Sequence, residues 1–444
     1  MYTEKELKEG TQIVYLSFLS DAAENMRMDG IKPPFSVMDM IKSCMNVQSA
    51  FDAAIADGMS QKDIRFKDLV KYSDLKDSDK SIIEEFSPEM FDWKIVDIQD
   101  MNSLNGFFSC CIETSEKEAM IAFRGSENMK EYTNMVNDWA RADFGLLNSR
   151  STRQQEEAEK YGEYLLEKGL IDKYDSLAIT GHSLGGNLAS HFTIASAESG
   201  KEKLFNKIKQ SINWDGPGVS DEYLSEHQEK IEKAAPKLTR YKWSAVGTLL
   251  FDIPGEHSEF LGINEDLYKD DPKERIKYKV ITRHSTKSLM FDENGKAERG
   301  KQDLVSKGLS SFSKAIDKFV PEHITTEIFA AADWIFERIL RIKDERNIEF
   351  NDVSWAERFA KKGSILGTCV NFINKTVDVF KEGALALENE ISELFSSPQM
   401  GYTPKLALAD VHGGMLQDYN YNRTFERDAE KNIDWRRKNQ NFER

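Results

Sequence analysis

Between residues 91 and 300 the chain alternates short apolar runs with amphipathic stretches, and on either side of that span the periodicity turns helical. WKIVDI (93–98), GFFSCCIE (106–113) and EAMIAFRG (118–125) are brief, rich in β-branched and aromatic residues, and predict three strands. A polar helix is predicted from Thr152 to Lys168, with Tyr161, Tyr164, Leu165 and Leu166 as its apolar residues. Leu177, Ala178 and Ile179 make the next strand. It runs into Gly181-His182-Ser183-Leu184-Gly185-Gly186 and then a helix in which Leu184, Leu188, Phe192 and Ala195 recur at helical spacing. QSINWDGPG (210–218), LTRYKWSAVG (238–247) and YKVITRH (278–284) are the remaining predicted strands, with a charged helix over Asp221 to Ala235. Strands alternating with helices over about 190 residues predict an α/β class with a mostly parallel central sheet flanked by helices.

The flanks divide the chain into three. Residues 1–90 read as a charged, mainly helical region packed on the core, broken at Lys32-Pro33-Pro34, and they offer no recognisable chemistry. Residues 91–300 form the α/β domain. Residues 301–444 form a helical extension, with helices fitting 304–318, 325–343 and 363–395 and a charge-dense tail from Arg423 to Arg444. The 363–395 segment is apolar enough to consider peripheral membrane contact, although packing against the core is the simpler reading.

Composition narrows the partners. Sixty Lys and Arg stand against 76 Asp and Glu, a formal charge of −16, and no strongly basic block occurs, so nucleic acid is excluded as an expected partner. The four cysteines (Cys44, Cys110, Cys111 and Cys369) follow no metal spacing, and no cofactor motif occurs. Cys110 and Cys111 lie in an apolar run and read as buried thiols of a reducing compartment. The N-terminus lacks the layout of a signal peptide, and no run approaches 18 apolar residues, so the default expectation is cytoplasmic, with export by a signal-independent route left open. Nothing in the sequence sets an oligomeric state.

The chemistry is carried by Gly181-x-Ser183-x-Gly185, a nucleophile-elbow pattern in its required setting of strand, turn and helix. The three fixed positions alone recur by chance in about one chain in ten of this length; the apolar strand before them and the helix after them supply the specificity. Residues two before and two after the serine need almost no side chain, because strand and helix approach closely there. Leu184 N–H, at the helix N-terminus, points where an oxyanion would form. A serine hydroxyl needs a base, and the base needs an orienting acid, in the order Ser, acid, His. Among histidines after Ser183, His284 ends the last predicted strand and is the expected base, with His257 in PGEHSEF as runner-up. His191, on the elbow helix, reads as structural. Asp215, after the strand that follows the elbow, is the expected acid; Asp252 is the alternative, with Glu256 and Asp221 behind them. The second oxyanion donor is expected from Ser126, in the loop after EAMIAFRG.

IAFRGSE, Asn137-Asp138-Trp139, ITGHSLGG and NWDGPG together resemble the class 3 (fungal-type) lipase group of α/β-hydrolases, and more closely its bacterial relatives with an FDGPG-like stretch. The resemblance covers about residues 90 to 300. It implies an α/β-hydrolase fold and a serine ester hydrolase acting on an ester or lipid, with Ser183 as nucleophile, Leu184 and Ser126 as oxyanion donors and His284 as base. One departure bears on the acid. Where that group carries an Asp-x-Val-Pro-like motif, this chain reads Ser244-Ala245-Val246-Gly247-Thr248-Leu249, which leaves Asp215 favoured. A membrane-directed effector and a non-catalytic interaction protein on the same scaffold are the rival readings.

Overall fold

The computed structural model describes residues 2–125, 152–264, 266 and 282–302, together with helical residues 306, 307, 310, 313, 314 and 317. All of these lie in the first of the chain's two units, 1–325; the second unit, 326–444, lies outside the described residues, as do the expected helices 325–343 and 363–395 and the charged tail.

Eight strands form one sheet in sequence order: β1 (Phe35–Ser36), β2 (Lys94–Met101), β3 (Phe107–Glu113), β4 (Glu118–Phe123), β5 (Ser176–His182), β6 (Ile208–Trp214), β7 (Leu238–Lys242) and β8 (His257–Phe260). The first four pair antiparallel, and β4 through β8 pair parallel. Successive side chains of a strand point to opposite faces, and here both faces are buried. Ala119, Ile121, Phe123, Leu177 and Ile179 meet the helices Arg153–Glu167 and Leu184–Ser196 on one side. Met120, Ala122, Ala178, Ile212 and Trp214 meet the N-terminal region on the other. This is an α/β-hydrolase fold, with a mixed sheet between two helical layers.

The second layer is built by residues that read as solvated in the sequence. In the helix Glu4–Ile13 every residue from Leu7 onward is buried, Lys8, Glu9, Thr11 and Gln12 included. Several of its polar groups find partners, although Glu9 Oε1 and Gln12 Oε1 have no hydrogen-bond partner among the described residues. Lys8 Nζ and Gln12 Nε2 donate to Glu85 Oε2 at 2.6 and 2.7 Å, and Ser87 Oγ donates to Glu9 Oε2 at 2.8 Å. Buried polar groups persist where they are so paired. Gly10 lets the helix settle on β4, since a Cβ there would be driven into Met120 Sδ. Thr180, fully buried on β5, ties the layers together. Its hydroxyl is 2.8 Å from Thr11 Oγ1, donates to Leu7 O at 3.2 Å and accepts from Trp214 Nε1 at 3.1 Å.

Three strand expectations change. β1 and β8 were not anticipated, both being short and β8 polar. β7 stops at Lys242 rather than 247, because the chain then bends so that Trp243 N and Ser244 N donate to Asp215. The expected strand 278–284 gives a 3-10 turn over Thr282–His284, while 278–281 lie outside the described residues. In that turn the carbonyls of Arg283 and His284 accept from side chains, Trp243 Nε1 and His182 Nε2, instead of from a neighbouring strand. Cys110 and Cys111 are buried free thiols, and burial pushes both thiols up. Among the described residues no helix is long and apolar enough to cross a membrane.

The Thr180 contacts set a test. Thr180→Val keeps the shape but leaves the buried Trp214 Nε1 without its acceptor, while Leu7 O still accepts from Thr11 Oγ1, and is expected to lower unfolding free energy by about 1–3 kcal/mol. Urea unfolding of the two proteins measures this; equal midpoints would refute it.

Candidate active site

The site grows from a turn that only glycine allows. A Cβ on Gly181 would enter the carbonyl oxygen of Gly185, and a Cβ on Gly185 would enter the carbonyl oxygen of Phe123 at the end of β4. The strand, the helix and the neighbouring strand therefore touch backbone to backbone. Ser183 sits between them at φ 60°, ψ −135°, a region that L side chains rarely occupy and that costs of order 1–3 kcal/mol. Its N–H donates to Trp214 O at 3.0 Å, and a Cβ at Gly216 would strike its carbonyl. Leu184 opens the helix, and among the described residues its N–H has no acceptor, as expected of a first-turn amide.

His182 pairs with Trp214 across β5 and β6, so Ser183 and Asp215 lie at equivalent positions just past adjacent parallel strands. Asp215 is fully buried at φ 51°. Its Oδ1 accepts from Trp243 N at 2.8 Å and Ser244 N at 3.0 Å, and its Oδ2 accepts from His284 Nδ1 at 2.7 Å. Gly247 is needed here too, because a Cβ would collide with Asp215 Oδ1. The stretch 244–249, which has no acid of its own, thus wraps the acid supplied by the preceding strand.

With the proton on Nδ1 shared with Asp215, the neutral His284 ring carries its lone pair on Nε2. That atom is buried and has no hydrogen-bond partner among the described residues. No hydrogen bond involving Ser183 Oγ is present among the described residues either, and the two groups are not bonded to one another. Such bonds are commonly long before substrate binds.

Two contacts from His182, itself backed by Trp243, help hold His284 in place. His182 Nε2 donates to its carbonyl at 2.8 Å, the two rings lie 4.5 Å apart between centroids, and Trp243 stacks on His182 at 5.9 Å and 14°. The following loop is tied to the N-terminal region by Lys287, which pairs with Glu85 at 3.3 Å. His182 itself is no candidate base. Burial, with His284 beside it, pushes its imidazole down to about 3, so it stays neutral and serves as a donor.

The other candidates are placed elsewhere. Asp252 is held by Arg240 Nη1 and Lys242 Nζ, each at 2.8 Å, and makes no bond to His284; burial raises its carboxyl, but those cations outweigh burial and hold it below the usual range. His257 lies exposed on β8, 3.3 Å from Glu259. His191 is buried between Tyr223 Oη at 2.8 Å and Glu159 Oε1 at 3.1 Å. Glu256 accepts from Ile253 N at 3.0 Å, and Asp221 starts the helix Asp221–Glu226. Ser126 lies outside the described residues. Sequence reasoning missed the supporting shell of His182, Trp243 and Ser244, for which no local signal exists. Among the described residues no cluster of metal-ligating side chains occurs.

Residues 91–261 match the family model described as Mbeg1-like. The match spans Ser183 and Asp215 and stops short of His284. No curated protein matches the chain. Among solved structures, the M37 lipase is similar at 14% identity, covering 56% of this chain and 91% of its own, with a TM-score of 0.30. A triacylglycerol lipase from Penicillium expansum is similar at 18% identity, covering 38% and 70%, with a TM-score of 0.27.

The buried neutral His182 has a pH signature. Unfolded, an imidazole takes its proton near pH 6.5, whereas in the fold this one does so only near pH 3. The unfolded chain binds more protons across that window, so stability is lost as pH falls through it, by about 1.4 kcal/mol for each unit of the difference. Thermal melts from pH 7 to pH 4 are expected to show a steeper loss for wild type than for His182→Gln, which keeps a donor toward His284 O. Parallel profiles would refute the assignment.

Proposed function

We propose that this chain is a serine ester hydrolase. The observation that carries the reading is the buried Asp215–His284 pair, which leaves Nε2 without a partner among the described residues, while Ser183 stands on a strained strand-to-helix turn just past the adjacent strand. In this mechanism Ser183 Oγ attacks the ester carbonyl and His284 Nε2 takes its proton, then delivers it to the leaving alcohol as the acyl-enzyme forms. Water repeats the sequence in reverse roles and releases the acid. Asp215 holds the Nδ1–H tautomer and balances the imidazolium charge. Two backbone amides fasten its other oxygen, so the carboxylate cannot swing away. The oxyanion of the tetrahedral intermediate is met by Leu184 N–H and by the loop beginning at Gly125-Ser126; one such donor is worth about 2.7–4 kcal/mol in the barrier.

The substrate class follows from the resemblance to lipases and is a carboxylic ester, with lipid esters foremost. A panel of p-nitrophenyl esters of increasing acyl length and of phospholipids, run beside a serine-directed fluorophosphonate probe, tests the reading. Wild type is expected to be labelled and Ser183→Ala to be inert to both; equal labelling would sink the proposal. Asp215→Asn is expected to lose about ten-thousand-fold in kcat, because the wrong imidazole tautomer is then favoured. Asp252→Asn is expected to weaken the fold around Arg240 while keeping turnover per folded molecule within a few-fold. The reverse ranking would move the acid to Asp252.

A further inference from the structure

The N-terminal region reaches the site through one side chain. Tyr15, just beyond the helix Glu4–Ile13, has its hydroxyl between two strand ends: it accepts from Gly125 N–H at 3.0 Å and donates to His182 O at 3.4 Å. Gly125 leads into the loop expected to supply the second oxyanion donor, and His182 immediately precedes Ser183. Within the parallel β4–β5 pair, whose last register partners are Phe123 and Gly181, neighbouring backbones bond directly. Past that point the phenol oxygen stands in the place of a rung, so two hydrogen bonds span the gap that one would otherwise close.

The spacing is tight. A Cβ placed on Gly125 would lie 3.0 Å from Ser183 Cβ, 3.0 Å from Tyr15 Oη and 2.7 Å from His182 O. The tyrosine ring is fixed edge-on against His182, with centroids 6.3 Å apart at 63°. Burial pushes the phenol up to about 12, so at neutral pH the proton it donates to His182 O is retained.

Resting on the hydrolase reading, we propose that Tyr15 is a positioning residue that sets the distance between Gly125, the residue before the expected oxyanion donor, and the nucleophile elbow. Without the hydroxyl, Gly125 N–H is free to close on His182 O, drawing Gly125 toward Ser183. Oxyanion donors work only near 2.7–3.1 Å from where the charge develops, so an ångström of collapse removes stabilisation that exists in the transition state alone. The loss therefore falls on kcat and not on KM.

The test compares full-length wild type, Tyr15→Phe and Ser183→Ala in p-nitrophenyl ester hydrolysis, with active sites counted by fluorophosphonate titration. In Tyr15→Phe, kcat per titrated site and the rate of labelling are both expected to fall about 10–100-fold, with KM within twofold. A kcat per site within twofold of wild type overturns the proposal, even if fewer sites titrate, since that pattern means the hydroxyl only aids folding. A loss confined to KM overturns it as well. If wild type shows no Ser183-dependent labelling, the hydrolase reading itself falls, and this proposal with it.

Discussion

The architecture depends on one constraint: three backbone segments meet where no side chain fits. Gly181 lies against Gly185, and Gly185 against the end of β4. This contact forces Ser183 into its strained turn, lays the helix N-terminus beside the serine and brings Arg124 and Gly125, just past the end of β4, alongside both. The strain on Ser183 persists because the surroundings over-determine it, with its N–H tied to β6 and its carbonyl hemmed in by Gly216. A turn of this kind is rigid by packing, which holds Ser183 in one backbone conformation.

Around that point the molecule spends buried polar groups on orientation. Asp215 is fully enclosed, yet its oxygens are met by two amides and an imidazole. His284 is held by its ring on one side and by its carbonyl on the other. A fully satisfied network of this kind stiffens its members, whereas one broken bond would leave a buried polar atom stranded. His284 Nε2 is the exception, buried without a hydrogen-bond partner among the described residues. The surrounding aromatic rings, Trp243 on His182 and His182 beside His284, exclude water from the pair and keep His182 neutral.

The N-terminal region is a structural layer of the first unit, packed on one face of its sheet. Its first helix is enclosed on all sides from Leu7 to Ile13, its polar residues reach Glu85, Ser87 and Thr180, and Lys287 with Glu85 ties it to the loop bearing His284. In a parallel sheet both faces need cover. Here the crossover helices cover one face, and residues before β2 cover the other.

What the sequence by itself determined was local. The short apolar runs of β2 to β6, the glycines flanking Ser183 and the helix after it are properties of a few neighbouring residues, and they sufficed for the fold class and for singling out Ser183 as the candidate nucleophile. Asp215 and His284 were nominated by their places after strands, but Asp252 was nominated on the same ground. Only the tertiary structure shows which of the two carboxylates meets His284, because that depends on where the chain turns after β7, 28 residues beyond Asp215, and on a pairing across 69 residues. That turn points two amides at Asp215, while Arg240 and Lys242 claim Asp252. The burial of Lys8 and Gln12, the strand character of β8 and the reach of Tyr15 to the elbow were likewise illegible. Each depends on what a residue packs against, and no local period encodes that.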